Sequence, residues 1–256
     1  MATPPEVAAS TFADEGIVLR RRVYAEADRV LVMLTRDHGK LSVVARGARR
    51  SRSRNAAGLD LLARSELLLA RGRGLAVLAQ ARPLGRPWPS SDLERTACGS
   101  VLAELADATL EEGHPDPALY QLVALHRERL ADPGSDPRAE LLVAAFQIAE
   151  VGGYRPQLSR CQVCGEPLSD RESGFLPELG GMVQGDCLRA RPAARACAPA
   201  TLRLLRRLEG GDLDLARRLR WTAQLRDQAE DILLAHLEHH LDRPLRAARV
   251  LAELRS

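Results

Sequence analysis

The feature that most constrains the fold is a change in hydrophobic period near residue 90. Before it, five short apolar runs are separated by turn residues. After it, apolar residues recur at helical spacing. The first part therefore predicts strands and the second predicts helices, which is typical of an α+β chain with more than one domain. With 256 residues, the chain is long enough for two or three small domains.

The predicted strands fall within about 65 residues and predict a barrel. They are the segments 16–24, 29–35, 41–46, 65–70 and 75–81. Glycine-containing turns join two of the pairs, at Asp37-His38-Gly39-Lys40 and at Arg71-Gly72-Arg73-Gly74. Because closing a sheet removes its exposed edges, five such strands favour a small closed barrel. The pattern fits an OB-type barrel, and it fits an SH3-like barrel nearly as well.

Helix start signals follow from residue 91. Ser91-Asp92-Leu93-Glu94 forms a predicted capping box, and Asp116-Pro117 and Asp136-Pro137 each pair an N-cap with a proline at the first helical position. The third helix is expected to stop at Gly152-Gly153. Further helices are predicted at about 200–209, 213–220, 222–241 and 245–254. Short connecting loops predict antiparallel neighbours packed as a bundle.

A stretch rich in glycine, proline and cysteine interrupts this bundle between residues 154 and 198. We therefore predict three parts. They are a barrel domain at 1–82, a helical domain at 83–156 and 199–256, and a zinc-finger-like insertion at 157–198.

Charge is distributed unevenly along the chain. Residues 1–80 carry 14 basic and 8 acidic side chains, whereas the remainder carries 23 basic and 26 acidic ones. The third predicted strand leads directly into an arginine-rich loop, Arg46 to Arg54. Neutralising phosphates releases condensed counterions, so such a loop suits a nucleic acid. The alternative is a solvated basic loop without a partner.

The predicted nucleic-acid-binding residues combine this loop with basic residues on neighbouring strands and turns. They are Arg20, Arg21, Arg36, Lys40, Arg46, Arg49, Arg50, Arg52, Arg54, Arg71 and Arg73. Aromatic residues are scarce, since Phe12 and Tyr24 are the only ones in the first 80 residues. We therefore expect contacts to the phosphate backbone to dominate over base stacking.

The cysteines predict a metal site. Cys161-Gln162-Val163-Cys164-Gly165 has the spacing of a zinc knuckle, and Cys187 follows it. A second C-x-x-C would end at position 190, which is Ala190, so Cys197 is the next available ligand, with Asp186 as another candidate. Zinc bound here would be structural, because an insertion poor in apolar residues needs a metal cross-link to stabilise its fold. The alternative is a finger that keeps its fold by packing and binds no metal.

Other candidate features are weaker. His236, His239 and His240 share a helical neighbourhood, but without the glutamate of H-E-x-x-H they are interpreted as a polar helix face. Cys98 lies among small apolar neighbours and is expected in the core. The chain contains no P-loop, zinc-deaminase signature or nucleophile elbow, so nothing argues for an enzyme.

Several of these segments resemble the RecO family of bacterial recombination mediators. The resemblance is carried by Glu15 to Arg20, by Tyr24, Glu26 and Asp28, by Ala45 to Arg50, and by the cysteine knuckle. Leu34-Thr35, Gly39, Gly152-Gly153-Tyr154-x-Pro156 and Leu241-x-Arg243-x-Leu245 add to it. It covers almost the whole chain in the same order. The chain departs from the pattern at Ala190, where many zinc-containing members have a fourth cysteine.

The resemblance implies an OB-fold barrel, a helical domain and a zinc-finger-like insertion, without catalysis. It also implies binding of single- and double-stranded DNA, annealing of complementary strands and binding of RecR. Family members promote RecA loading on strands coated by single-strand-binding protein, whose C-terminal tail docks on the helical domain.

Two other functions fit the residues alone. One is an RNA- or ribosome-associated OB-fold protein with a helical interaction domain, and the other is a zinc-dependent enzyme acting on nucleic acid. No apolar run reaches 18 residues, and residues 1–12 lack the basic start and apolar core of a secretion signal. We therefore expect a cytoplasmic, nucleoid-associated protein without membrane contact.

Overall fold

The computed structural model describes residues 11–24, 26–48, 58–72, 74–169, 172–209, 214–219 and 221–254. By its internal contacts the chain forms two compact units. The first is Met1–Trp88 with Leu110–Ala124, and the second is Pro89–Thr109 with Leu125–Ser256. The three-part division predicted from the sequence stays a prediction.

The first unit contains a closed five-stranded barrel. Its strands are β1 (Thr11–Val23), β2 (Arg29–Thr35), β3 (Gly39–Ala45), β4 (Arg64–Ala70) and β5 (Ala76–Pro83). They follow the order β1-β2-β3-β5-β4, with β4 pairing back onto β1. The β3–β5 pair is parallel and all other pairs are antiparallel. This strand order is that of a Greek-key OB barrel. It confirms the predicted OB-type barrel over the SH3-like alternative.

The β1–β2 ladder is buried on both of its faces. Val18 and Met33 point into the barrel core, while their neighbours Ile17 and Leu34 are also fully buried. Strands buried on both faces read as continuous apolar runs, which explains why the sequence here does not alternate. The middle of this ladder is therefore unavailable to a ligand.

Residues 110–124 belong to the barrel unit through specific polar contacts. The Tyr120 hydroxyl donates to Glu15 Oε1 at 2.7 Å, and the same carboxylate pairs with Arg64 on β4. Gly39, with φ +71°, opens β3 where a Cβ would lie 2.1 Å from the carbonyl oxygen of His114. Only glycine fits this backbone conformation and this close approach.

The second unit is mainly helical. Its helices, with the start of α2 belonging to the barrel unit, are α1 (Leu93–Thr109), α2 (Pro117–Leu130), α3 (Pro137–Val151), α4 (Gly185–Arg189), α5 (Pro199–Leu208), α6 (Leu215–Arg218), α7 (Ala223–His240) and α8 (Arg246–Glu253). The Asp116 and Asp136 carboxylates accept hydrogen bonds from the first turns of α2 and α3, as predicted. The predicted Ser91 cap is wrong. A turn from Pro89 to Asp92 makes Asp92 the N-cap, and its carboxylate accepts the N–H of Arg95.

The cysteine-rich insertion contains a small sheet. Its strands β6 (Ser173–Leu176), β7 (Gly181–Gln184) and β8 (Arg195–Cys197) take the order β7-β6-β8. A cluster of Cys161, Leu176 and Val183 forms its buried centre. These strands have only three or four residues each, which is too short for a periodic signal in the sequence.

Candidate nucleic-acid interface and metal centre

Two turns meet at one end of the barrel. The Asp28 carboxylate accepts the backbone N–H of Gly47 at 2.8 Å, and its carbonyl accepts the N–H of Tyr24. Asp28 thus joins the β1–β2 hairpin to the turn that follows β3. We call the surface formed by Arg20, Arg21, Arg22, Tyr24, Arg29 and Arg46 the hairpin end.

Arginines at the hairpin end differ in their pairing. Arg21 pairs with Asp60, and Arg29 lies 3.9 Å from the same carboxylate. Arg22 and Arg46 are exposed and make no ion pair within the described part of the chain. The hairpin end therefore carries more basic than acidic groups, with two guanidinium groups open to a phosphate.

A second basic group surrounds the β2–β3 and β4–β5 turns. Arg36 pairs with Asp37 and lies 3.6 Å from Glu15, so hydrogen bonding to Asp37 raises its pKa. The Arg71 guanidinium lies over the Phe12 ring at 5.6 Å. Lys40 is the second residue of β3, next to the β2–β3 turn. Because acidic residues accompany Arg36, this region is close to charge balance.

The structure thus separates the predicted basic residues into two groups. Arg71 follows Ala70, the partner of Thr11 at the start of β1, whereas Arg20 and Arg21 lie near its end. The separation along β1 is about 30 Å at 3.3 Å per residue. Five predicted residues lie outside the described residues, namely Arg49, Arg50, Arg52, Arg54 and Arg73.

Sequence reasoning missed Arg29 and Tyr24 at the hairpin end, and it left Arg22 out of the predicted set although Arg22 belongs to the basic run Arg20 to Arg22. Tyr24 exposes 65% of its surface at the hairpin tip, and Val23 beside it exposes 67%. OB folds bind nucleic acids through strands 2 and 3 and the loops after strands 1 and 4. The position of Tyr24 at the end of the first predicted strand was the available signal.

Three cysteines of the insertion come together. The sulfur atoms of Cys161, Cys164 and Cys187 all lie within 4.8 Å of one another. The first two lie in a tight turn, in which Gly165 N donates to Cys161 O at 2.9 Å and Gly165 takes φ +75°. This is the backbone of a metal knuckle, and it explains why glycine follows the second cysteine.

The environment of Cys161 favours a thiolate. Burial opposes ionisation there, but hydrogen bonds from three backbone N–H groups outweigh it and lower the pKa of Cys161 to about 7. Those N–H groups belong to Val163, Cys164 and Gln184. Burial and the two neighbouring thiols raise the pKa of Cys187.

Three soft thiolates with supporting N–H groups fit a zinc ion. Cys161, Cys164 and Cys187 would hold it, and the ion would supply a cross-link between the knuckle and α4.

The structure does not bring the fourth predicted ligand, Cys197, to this cluster. Cys197 lies on β8 with only 3% of its surface exposed, and its thiol faces Ala198 O at 3.8 Å. Burial raises the pKa of Cys197 to about 12. It packs as a core residue, as Cys98 does, whose pKa is also raised by burial.

The histidines of α7 correct another expectation. His239 is exposed as predicted, but His236 is buried and is not part of a polar helix face. Its Nε2 donates to Tyr154 O at 2.6 Å, and its ring meets Phe175 edge-on. Burial lowers the pKa of His236 to about 4.

An apolar groove lies between α5 and the start of α7. It encloses about 460 Å³, with Trp221 fixed in its wall by a hydrogen bond to Ala216 O. Arg203 and Arg207 are exposed at its rim, one helical turn apart. Its lining residues are Ala200, Arg203, Leu204, Arg206, Arg207, Leu219, Trp221 and Leu225.

Within the described ranges, no helix combines the length and the apolar character that crossing a membrane requires. An OB barrel with a basic hairpin end, continued by a helical unit that carries a three-cysteine knuckle, places the chain among multidomain OB-fold proteins.

Comparison with known proteins narrows this class. The family model for the N-terminal part of recombination protein O matches residues 10–86, and the model for its C-terminal part matches residues 90–249. The DNA repair protein RecO of Desulforudis audaxviator is 37% identical over 245 residues, covering 95% of this chain and 97% of that protein. The RecO of Gloeobacter violaceus is 37% identical, covering 94% and 92%, respectively. The chain belongs to the RecO family of DNA repair and recombination proteins.

Proposed function

We propose that this protein is a non-enzymatic recombination mediator that binds single- and double-stranded DNA through its barrel and anneals complementary strands. The observation that carries the proposal is the hairpin end, where Arg22 and Arg46 are exposed and form no ion pair with any described residue. A basic surface lowers the repulsion between two phosphate backbones, and contacts without base specificity let the strands search for register.

Proposed DNA-binding residues are those predicted from the sequence, with Arg22, Arg29 and Tyr24 added. Arg49, Arg50, Arg52 and Arg54 fall within the six residues that follow Ala48 in the sequence. Arg36 is the weakest of the predicted set, because acidic groups already compensate its charge.

Proposed partners follow from the family and from the groove between α5 and α7. The groove combines an apolar floor with guanidinium groups at the rim, and such a site suits a peptide with apolar side chains and carboxylates. We propose that it takes the C-terminal tail of single-strand-binding protein. Binding to RecR, and through it the loading of RecA, completes the proposed role in a cytoplasmic, nucleoid-associated protein.

Changing Arg49, Arg50, Arg52 and Arg54 together to alanine tests the proposal. We expect weaker binding to single-stranded DNA and a salt slope that is smaller by up to about 3, because each lost phosphate contact removes about 0.7. Binding would be measured by fluorescence anisotropy at several salt concentrations, with annealing of labelled strands as a second readout.

Arg246→Ala with Arg249→Ala serves as the control, since both side chains are exposed on α8 and make no ion pair with described residues. The control should leave the slope unchanged. If the variant with all four arginines changed folds and keeps the salt slope of the original protein, the assignment of the loop to DNA binding is contradicted. Preference for RNA over DNA of the same sequence would favour an RNA-associated OB protein.

A further inference from the structure

The cysteine cluster offers three ligands where zinc in a structural site has four. A second C-x-x-C that began at Cys187 would end at position 190, and this chain has Ala190 there. Ala190 caps the C-terminus of α4, with its N–H directed to the carbonyl groups of Asp186 and Leu188. Residues three apart on a helical turn share one side. Ala190 therefore stands at the sequence position of a fourth ligand and supplies no donor atom.

No other described side chain takes that place. Among the described His, Cys, Asp and Glu residues, only the three cysteines form a group of mutually close ligand atoms. The Asp186 carboxylate, a candidate from the sequence, pairs with Arg189 and is 88% exposed. Cys197 is committed to the core beside β6.

The open side of the cluster faces solvent. Cys161 is buried at the back, whereas Cys164 is exposed and Cys187 is partly exposed. The latter two line a cavity of about 950 Å³ between the knuckle, α4 and β8. The cavity wall is mixed, with the polar residues Glu166, Ser169 and Gln184 beside apolar ones such as Leu188 and Ala194. A small ligand can therefore reach an ion that the three sulfur atoms hold.

We propose that this site binds zinc through Cys161, Cys164 and Cys187 and leaves the fourth coordination position to an exchangeable ligand from the cavity. That ligand is water in plain buffer, and a small thiol can replace it because thiolates are the stronger donors for this ion. The incoming thiol binds as a thiolate and releases its proton to buffer, and the displaced water leaves. No oxidation or reduction takes place.

Cobalt(II) in place of zinc makes the proposal measurable. The intensity of sulfur-to-cobalt charge-transfer bands rises with the number of bound thiolates, and the d–d bands report the geometry. We expect the purified full chain to show three thiolates. Adding 2-mercaptoethanol should then shift the spectrum toward that of a cobalt ion bound by four thiolates. Ala190→Cys should show four thiolates from the start and should not respond to the added thiol.

Retention of zinc gives a second readout. Transfer of zinc to a chromogenic chelator should be slower for Ala190→Cys than for the original chain by at least about 10-fold, since even outer-shell changes alter metal affinity by that factor. Cys197→Ser should leave the cobalt spectrum unchanged, because this thiol is separate from the cluster.

Asp170 provides the sharpest alternative. It lies outside the described residues, but its neighbour Ser169 lines the cavity. A spectrum that changes in Asp170→Asn and does not respond to added thiol would mean a protein carboxylate at the fourth position, which overturns the proposal. Failure of the original chain to bind cobalt, or a four-thiolate spectrum that Cys197→Ser abolishes, overturns it as well. None of these readouts depends on DNA binding.

Discussion

At the residue scale, the surroundings of a charged side chain decide what it can do. Arg21 and Arg36 are both exposed arginines of the barrel, yet each is already paired with a carboxylate. Arg22 and Arg46 are not paired with any described residue, so their charge remains available to a phosphate. Arginines that look alike in the sequence are therefore expected to contribute differently to phosphate binding.

Burial has the same decisive effect on His236. Its pKa is about 4, against 6.5 for an ordinary histidine, because the buried ring resists taking up a proton beside His239 and His240. At pH 7 the folded and unfolded chains both carry a neutral ring. Below pH 6.5 the unfolded chain binds a proton that the folded chain does not, so the free energy of unfolding falls until about pH 4.

We expect this histidine to account for a loss of about 3 kcal/mol or less between pH 6.5 and pH 4. Urea unfolding at several pH values would measure it. His236→Gln should weaken that dependence relative to the original protein, whereas His239→Gln, at an exposed position, should keep it. Equal pH dependence in all three proteins would contradict the burial of a neutral His236.

At the element scale, single glycines decide where strands and turns can lie. Gly39 opens β3 with φ +71°, and a Cβ there would meet the backbone of His114 and Pro115. Gly113 has a similar φ of +76° but open space around it, and its N–H donates to Lys40 O. Comparing the two glycines therefore separates the cost of the left-handed conformation from the cost of a clash between a Cβ and the neighbouring backbone.

Replacing each glycine with alanine should give different losses of stability. Gly113→Ala should cost about 1–2 kcal/mol, the price of a left-handed conformation for a residue with a Cβ. Gly39→Ala should cost at least about 1 kcal/mol more, because the added methyl group forces a backbone shift as well. Chemical denaturation measures both. Equal losses would mean that the segment around His114 moves aside freely.

At the scale of the whole molecule, the two proposed binding surfaces belong to different units. The hairpin end is part of the barrel unit, and the groove of Arg203, Arg207 and Trp221 is part of the helical unit. Each surface has its own chemistry, phosphate contacts for the first and an apolar floor with guanidinium groups for the second.

We therefore expect variants to separate the two functions. Arg203→Ala with Arg207→Ala should weaken binding of a peptide with the tail sequence of single-strand-binding protein by about 10-fold or more, because charge-assisted contacts are worth about 1.5–3 kcal/mol each. DNA affinity should stay unchanged. The loop variant with four arginines changed should bind DNA more weakly and the peptide normally. Calorimetry measures the peptide affinity and anisotropy the DNA affinity. Loss of peptide binding in the loop variant would place the tail elsewhere.

Local pattern alone predicted much of the fold. Strand β2 lies where its apolar run predicted it, and the aspartates before Pro117 and Pro137 cap their helices. The Ser91 cap failed because the four-residue turn from Pro89 to Asp92 shifts the start of the helix by one position. The small sheet of the insertion escaped prediction because strands of three or four residues carry no period.

By itself, the sequence determined the barrel, the helical unit, the C-x-x-C knuckle and the uneven charge, because these depend on residues close together in the chain. Only the tertiary structure decided which arginines are paired, that His236 is buried and that Cys197 stays apart from the other three cysteines. Most of those outcomes, such as the pairing of Arg21 with Asp60 and the burial of His236 against Tyr154, depend on residues far apart in the chain, whose distance is set by strand register and packing. The open position beside Ala190 is visible only once both kinds of information are combined.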